Sequence, residues 1–179
     1  NSVDGTGLNN YVKPWTPSPF GSEPSLAYAA DVFEMRIGGI LGVRNGYLPT
    51  SRFDYEIFNE IVYSPCVGEV IAVEDGHADV DRGQSVSGFG NYLVVKCSDY
   101  FITLANLKNG SILVKTGDRV NYKYIVAAVG NSGAPGIPHL HIHATSGSYA
   151  EGEGTAIPIV FDGMLALNNF LTRNKIVLR

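Results

Sequence analysis

Three closely spaced histidines carry the strongest chemical signal in the sequence. His139, His141 and His143 alternate with apolar residues, and the whole chain has only four histidines. On a β-strand, alternate side chains point to the same face, so this spacing predicts three imidazoles on one face. Neutral imidazole is the commonest metal ligand near neutral pH, which favours a metal-binding or catalytic surface. The alternative interpretation is a row of solvated histidines on an exposed strand.

A metal bound to this strand needs ligands from elsewhere, because a catalytic zinc takes three protein ligands and keeps one open position. Asp31 is the best candidate, since it lies in the apolar run Tyr28–Phe33, where an unpaired carboxylate is costly. His77, in a polar loop, is interpreted as exposed. The other aspartates lie in polar loops or a turn and are interpreted as solvated or turn-forming: Asp54, Asp79, Asp81 and Asp118.

The elements that position these residues read as short strands joined by tight turns. Asn109-Gly110 is a strong turn dipeptide, and no helical periodicity persists for more than two turns. The predicted strands are Leu26–Met35, Glu69–Val73, Tyr92–Lys96, Tyr100–Leu107, Tyr124–Val129 and His139–Ala144. The fold predicted is mainly β, an antiparallel β-sandwich-like domain with an open groove.

The chain divides into three parts by composition. Residues 1–24 are rich in Gly, Asn, Ser and Pro, which predicts an extended, irregular N-terminal arm. Residues 25–160 are predicted to form the β domain, and residues 161–179 a C-terminal extension. The pattern of Phe161–Val177 is compatible with either a helix or a strand. A length of 179 residues suits one domain with a sizeable core.

Cys66 and Cys97 are the only cysteines, and they flank two predicted strands. If the strands pair antiparallel with Val70 opposite Leu93, Cys66 falls opposite Cys97, within disulfide reach. That register predicts a disulfide and an oxidising, extracytoplasmic location. The alternative is two unrelated buried thiols.

Composition excludes several classes of function. The net charge is −4 and no run of Lys and Arg occurs, so no nucleic-acid partner is expected. Hydrophobic residues make up 45% and charged residues 17%, which favours a packed globule over disorder. No apolar stretch reaches the roughly 20 residues that span a membrane.

Seven short segments, in order, resemble those of the lysostaphin-type, peptidoglycan-cleaving zinc metallopeptidases. Each is weak alone, but their order and spacing from Tyr28 to Ala144 together indicate kinship. The segments are Val62–Val70, Gly90–Val95, Leu104–Leu107, Gly110–Val114, Gly117–Val120, Val129–Gly133 and Pro138–His141.

The resemblance implies roles for particular residues. In that family one zinc is held by a His, an Asp and the second His of His-x-His, which implies Asp31 and His141 as metal ligands. His139 would be a catalytic histidine beside the metal. A second catalytic histidine is expected at position 106, where this chain has Asn106. The first metal histidine is missing from the stretch before Asp31, where Glu23 is the only strong ligand type.

These departures predict a degenerate member with zinc bound weakly or not at all. The function expected is binding of a peptidoglycan peptide or a cell-wall protein partner, with little or no hydrolysis. One alternative is an active zinc endopeptidase that cleaves peptidoglycan cross-links or stem peptides, its metal site completed by Glu23 or His143. The other alternative is a purely structural β module with incidental histidines.

Overall fold

A computed structural model of the chain describes residues 8–14, 24–36, 40–44, 49–84, 88–122, 124–134, 136–150, 153–164 and 170–177. Two short 3-10 helices occur in these residues, Pro24–Leu26 and Arg52–Asp54. The strands are β1 Leu8–Pro14, β2 Ala30–Arg36, β3 Ile40–Leu41, β4 Ile61–Tyr63, β5 Gly68–Glu74, β6 Asn91–Cys97, β7 Tyr100–Leu107, β8 Arg119–Val120, β9 Ile125–Ala128, β10 Leu140–Ser146, β11 Thr155–Ile157, β12 Val160–Met164 and β13 Phe170–Val177.

The strands form one large antiparallel sheet and one small one. The large sheet runs in the order β12-β13-β1-β2-β10-β7-β6-β5-β8, with β11 paired to β10 and β3 to β2. The small sheet pairs β4 with β9. The end of β7 also bridges to the residue after β9, through Leu107 and Val129. The histidine strand β10 therefore lies in the interior of the large sheet, between β2 and β7.

Alternation along the central strands separates a core face from a histidine face. Ile142 and Ala144 of β10 belong to the hydrophobic core, as do Ile102 and Leu104 of β7. The core also includes Val62 and Val126 of the small sheet, so the two sheets share one core. Full burial of such side chains contributes roughly 1.5–3 kcal/mol each, which fixes the register and turns the intervening residues to the opposite face.

The predicted fold class is confirmed: the described residues form antiparallel β-structure. The N-terminal arm differs from the prediction in one part, because residues 8–14 pair with β2 and β13 as a regular strand. An extended segment with unpaired backbone groups can complete a neighbouring sheet edge. The ambiguous segment Phe161–Val177 contributes to two strands, β12 and β13. The domain bounds stay a prediction.

The predicted disulfide between Cys66 and Cys97 is confirmed, but the register used to predict it is wrong. The two Cα atoms lie 6.0 Å apart. Val70 pairs with Val95, not with Leu93, and an irregularity follows in the ladder. Cys66 precedes β5, so the bond reaches Cys97 from the turn before the strand and does not depend on the strand register.

Aspartates fasten the long loop after β5 to the rest of the domain. The Asp79 carboxylate accepts hydrogen bonds from the backbone N–H groups of Asn109 and Asn131, at 3.0 and 2.6 Å. Asp81 accepts one from the Arg52 backbone at 2.9 Å, and this hydrogen bond lowers the pKa of Asp81. The two aspartates, interpreted from the sequence as solvated, are therefore also hydrogen-bonded to the backbone of neighbouring segments.

No helix in the described part of the chain is long and apolar enough to cross a membrane.

Candidate functional site

Strands β2 and β10 bring Asp31 and His141 together. The two residues are direct cross-strand partners, so their side chains leave the same face of the sheet. The Asp31 Oδ1 atom lies 2.9 Å from His141 Nδ1. The prediction that these residues lie close enough to share one ion is confirmed as geometry, although their role as metal ligands stays a prediction.

His139 lies beside this pair, at the entrance to β10. Its Nε2 atom is 3.6 Å from Asp31 Oδ1, and its side chain is only 1% exposed. Its Nδ1 atom lies 2.7 Å from the Ile137 carbonyl oxygen, so Nδ1 carries the proton and donates it. In the neutral ring, Nε2 is then the basic atom, and it faces Asp31.

His143 completes a contiguous row on the same face. Its Nδ1 atom lies 3.1 Å from His141 Nε2. In the tautomer in which His141 Nδ1 donates to Asp31, its Nε2 accepts, and the proton in this contact comes from His143. The alternative of solvated histidines is wrong, since His139, His141 and His143 are 1%, 9% and 4% exposed.

Asn106 lies at the end of β7, and its side chain contacts His139. The Gly133 N–H donates to Asn106 Oδ1 at 2.7 Å, which fixes the orientation of the amide. Nδ2 therefore faces His139, where it donates to the backbone oxygen at 2.9 Å and approaches ring Nδ1 at 3.0 Å. Nδ2 also lies 3.5 Å from the Gly130 oxygen.

The backbone of Asn106 adds two further connections and is conformationally unusual. Its N–H donates to the Phe89 oxygen, and its carbonyl accepts from the Gly130 N–H, both at 2.9 Å. Its φ is 59°, in the left-handed region that Asn tolerates better than most residues. Asn106 thus joins two loops, the one before β6 and the one between β9 and β10, to the histidine strand. Its predicted catalytic role stays a prediction.

Two aromatic rings cover the histidines, and sequence reasoning did not identify them. Phe33 stacks on His139 with 5.3 Å between ring centroids. Phe89 lies 5.5 Å from His141 and 5.3 Å from His143. The signal for Phe33 was present, because it is two residues from Asp31 and therefore on the same strand face. Phe89 lies in a loop, and no local pattern predicts what a loop residue covers.

Burial sets the protonation of two of the histidines. It lowers the pKa of His139, although the Asp31 carboxylate and the hydrogen bond to Ile137 act in the opposite direction. Burial, and then the neighbouring His141, lower the pKa of His143 to about 3. Both rings are therefore neutral at pH 7, the form in which imidazole binds metals or accepts protons.

The described residues do not complete a metal site. Within them, no group of three or more His, Cys, Asp or Glu side chains is arranged to hold a metal ion. Asp31 and His141 face each other as a pair, whereas a catalytic zinc takes three protein ligands. Glu23, the predicted third ligand, lies outside the described residues.

Comparison with known families decides the kinship of the chain. A sequence profile of peptidase family M23 matches residues 57–155, more than half of the chain. The chain belongs to peptidase family M23. The match includes Asn106 and the three clustered histidines, and it begins after Asp31. No curated protein matches the chain in sequence.

Several solved structures are similar in fold at low identity. The catalytic domain of the antimicrobial peptidase lysostaphin from Staphylococcus simulans is 16% identical, covers 80% of this chain and 85% of its own, and has a TM-score of 0.49. LytU is 19% identical over 87% of this chain and 84% of its own, with a TM-score of 0.47. A mutant catalytic domain of the prophage-encoded M23 protein EnpA from Enterococcus faecalis is 20% identical. The match covers 65% of this chain and 82% of the EnpA chain, with a TM-score of 0.44.

The buried His143 predicts acid sensitivity of the metal-free chain. The unfolded ring binds a proton near its ordinary pKa of about 6.5, whereas the folded ring resists protonation until about pH 3. Stability from this group is thus fully present above pH 6.5 and is lost as the pH falls toward 3. We expect urea unfolding to show about 2 kcal/mol less stability at pH 5 than at pH 7.5 from this ring alone.

The measurement compares the wild type with His143→Gln, both dialysed against EDTA. The variant lacks the titrating ring, so its stability should change less between the two pH values. His77→Gln, which removes an exposed histidine, is the matched control. Equal pH dependence in wild type and His143→Gln would contradict the prediction.

Proposed function

We propose that this M23 domain binds a peptide of the bacterial cell wall and has little or no hydrolytic activity. The observation that carries the proposal is the incomplete metal cluster: Asp31 and His141 form a pair to which no third ligand is added within the described residues. Two protein ligands leave a zinc ion mostly bound by water, and affinity should fall by orders of magnitude.

The hydrogen bonds of His141 support the same proposal. One ring nitrogen contacts Asp31 and the other contacts His143. Both nitrogens are therefore engaged within the protein, and a metal would have to displace one of these contacts. Asp31, His141 and His143 form a hydrogen-bonded row in which these side chains are partners of one another. Buried polar groups need such partners.

The Asn at position 106 also supports a loss of catalytic activity. By the resemblance, position 106 belongs to a catalytic histidine, and an amide cannot take up a proton as imidazole can. Its amide hydrogens are directed to backbone oxygens of His139 and Gly130. An Asn in this environment positions His139 and the loops around it, and loss of one general acid or base commonly costs about 10²–10⁴ in rate.

What the chain retains is a preorganised cluster of polar and aromatic side chains, of which Asp31 and Phe89 are open to solvent in part. Zinc, when bound in active relatives, polarises the scissile carbonyl and activates water. Without that chemistry, the partly exposed Asp31 carboxylate and the half-buried ring of Phe89 still offer a hydrogen-bonding and an apolar contact to a peptide. A cell-wall protein partner is the other ligand class, and peptide titration separates the two. The disulfide supports an extracytoplasmic location, since such bonds persist in oxidising compartments.

One observation favours a second candidate, an active zinc endopeptidase. The side chains of three candidate site residues converge: Asp31 Oδ1 lies 2.9 Å from His141 Nδ1 and 3.6 Å from His139 Nε2. A carboxylate from Glu23 would then complete an Asp-His-Glu zinc site, and Asn106 would donate weakly to the oxyanion. A purely structural module, the third candidate, would bind neither peptide nor metal.

Zinc content and hydrolysis test the proposal. After equilibration with zinc and dialysis, we expect well below one zinc per chain by mass spectrometry of the metal. Cleavage of purified peptidoglycan, glycine-rich peptides and stem peptides should be at least about 10²-fold slower than by a lysostaphin catalytic domain assayed alongside.

Variants identify the residue responsible if activity is found. Glu23→Ala removes the candidate third ligand, and Glu153→Ala, at an exposed glutamate, is the matched control. Robust zinc-dependent turnover that is lost in Glu23→Ala alone would overturn the degenerate assignment and establish the second candidate.

A further inference from the structure

A cavity on the side of the small sheet combines positive charge with aromatic walls. Its volume is about 300 Å³, and its lining residues are Arg44, Phe53, Phe58, Asn59 and Lys108. We call it the Arg44–Lys108 pocket. That volume is at the small end of the range for ligand sites, which suits the end of a peptide better than an extended chain.

The aromatic walls are held by packing and by cations. Phe53 and Phe58 meet edge to face with 5.2 Å between centroids. Phe58 is buried at 4% exposure, whereas Phe53 is 60% exposed and forms the rim. The Arg52 guanidinium lies 4.7 Å from the Phe53 ring and is paired with Asp81 at 3.1 Å. The charge of Arg52 is therefore compensated by Asp81, and its guanidinium packs against the Phe53 ring at the rim of the pocket.

The two cations that line the pocket are not neutralised in this way. Lys108 donates to the Asn59 side-chain oxygen at 2.6 Å, and Arg44 donates to the Glu56 backbone oxygen at 3.2 Å. Within the described part of the chain, neither forms an ion pair with a carboxylate. On a chain of net charge −4, Arg44 and Lys108 place two positive charges at the wall of this pocket.

The backbone connects the pocket to the histidine site. Asn59, with a φ of 73°, donates its N–H to the Val129 oxygen at 2.9 Å. Gly130, the residue after Val129, donates its N–H to the Asn106 backbone oxygen at 2.9 Å. One short segment, Val129–Gly130, therefore touches both the pocket and the Asn106–His139 contact.

We propose that the Arg44–Lys108 pocket binds the terminal carboxylate of a peptide, with the last side chain against Phe53 and Phe58. This assignment rests on the proposed peptide-binding function and names the part of the peptide that is recognised. Two cations suit one carboxylate, whereas the net negative charge of the chain disfavours polyanions such as nucleic acids. The Asn59 amide adds a neutral polar contact that can adapt to either oxygen of the group.

A matched pair of peptides tests the assignment. The probes are a synthetic stem pentapeptide ending in D-Ala-D-Ala, as the free acid and as the C-terminal amide, each fluorescently labelled at its N-terminus. Anisotropy titration of the full chain should show the acid binding about 5- to 10-fold more tightly than the amide, since each partly exposed ion pair contributes modestly. This preference should weaken as salt is raised.

Charge-removing variants locate the effect. Arg44→Gln and Lys108→Gln together should abolish the preference for the acid, whereas Arg119→Gln and Lys115→Gln, at exposed positions elsewhere, should preserve it. Equal binding of acid and amide by the wild type would overturn the pocket assignment and leave the peptide-binding proposal intact. If neither peptide binds, the peptide-binding proposal fails; chemical shifts of the Asn59 and Lys108 amides on addition of N-acetyl-D-alanine then decide the pocket separately, and unchanged shifts overturn it.

Discussion

Replacing Cys66 and Cys97 together with alanine is expected to destabilise the chain by about 3–4 kcal/mol. The bond closes a loop between residues 31 apart in sequence, and both cysteines are in the core, at 4% and 1% exposure. Without the cross-link, the unfolded chain regains the entropy of that loop. Urea unfolding of wild type and double variant at pH 7.5 gives the difference directly.

Reduction of the wild-type protein separates the two causes of this loss. The reduced chain lacks the cross-link but keeps both sulfur atoms in the core, so its stability should lie close to that of the double variant. A much smaller loss on reduction would assign most of the effect to packing, since buried cysteines behave as small apolar side chains. A loss below about 1 kcal/mol in the double variant would contradict the prediction.

The disulfide also illustrates what the sequence determines and what it leaves open. The disulfide prediction assumed that the two strands pair antiparallel, and β5 and β6 do so. The register was not, because the bulge between Val70 and Ala72 has no signature in the local sequence. Cys66 still reaches Cys97, because it lies before β5 and its position is not set by the strand register.

The candidate site was predictable where it depends on strand periodicity. The period of two placed His139, His141 and His143 on one face, and the apolar surroundings of Asp31 indicated a partnered carboxylate. The partner itself came from the resemblance, because a contact between residues 110 apart depends on topology and not on local pattern. The cover by Phe89 depends on a loop and could not be predicted.

The loop that carries Phe89 can lie close to a second loop because position 90 is a glycine. The sequence alone does not show why a glycine is needed there. Gly90 has a φ of 63°, and a Cβ there would clash with the backbone of Ser132. The segment Gly88–Gly90 therefore packs directly against Ser132 and Gly133, which places Phe89 over the histidines. A Gly-rich loop predicts close approach, but only the fold shows which backbone it approaches.

Replacing Asn106 with alanine is expected to destabilise the chain by about 4 kcal/mol. The side chain is 1% exposed, and its loss leaves the Gly133 N–H and the His139 oxygen without this partner in a buried site. Each such group costs roughly 1–3 kcal/mol when left unsatisfied. Alanine also fits the observed φ of 59° poorly, which adds about 1 kcal/mol.

Two further variants divide this loss into its causes, and a third variant is the control. Asn106→Gly tolerates the left-handed backbone, so it should be about 1 kcal/mol more stable than Asn106→Ala while still lacking the hydrogen bonds. Asn106→Asp keeps the acceptor for the Gly133 N–H but loses the donor to His139. Asn109→Ala, at an exposed turn position, is the matched control and should change stability by less than about 1 kcal/mol. Asn106 donates to the His139 backbone oxygen and lies against ring Nδ1, so its removal should also loosen the ring. Nitrogen chemical shifts of His139 that match the wild type in all three Asn106 variants would show that Asn106 does not position it.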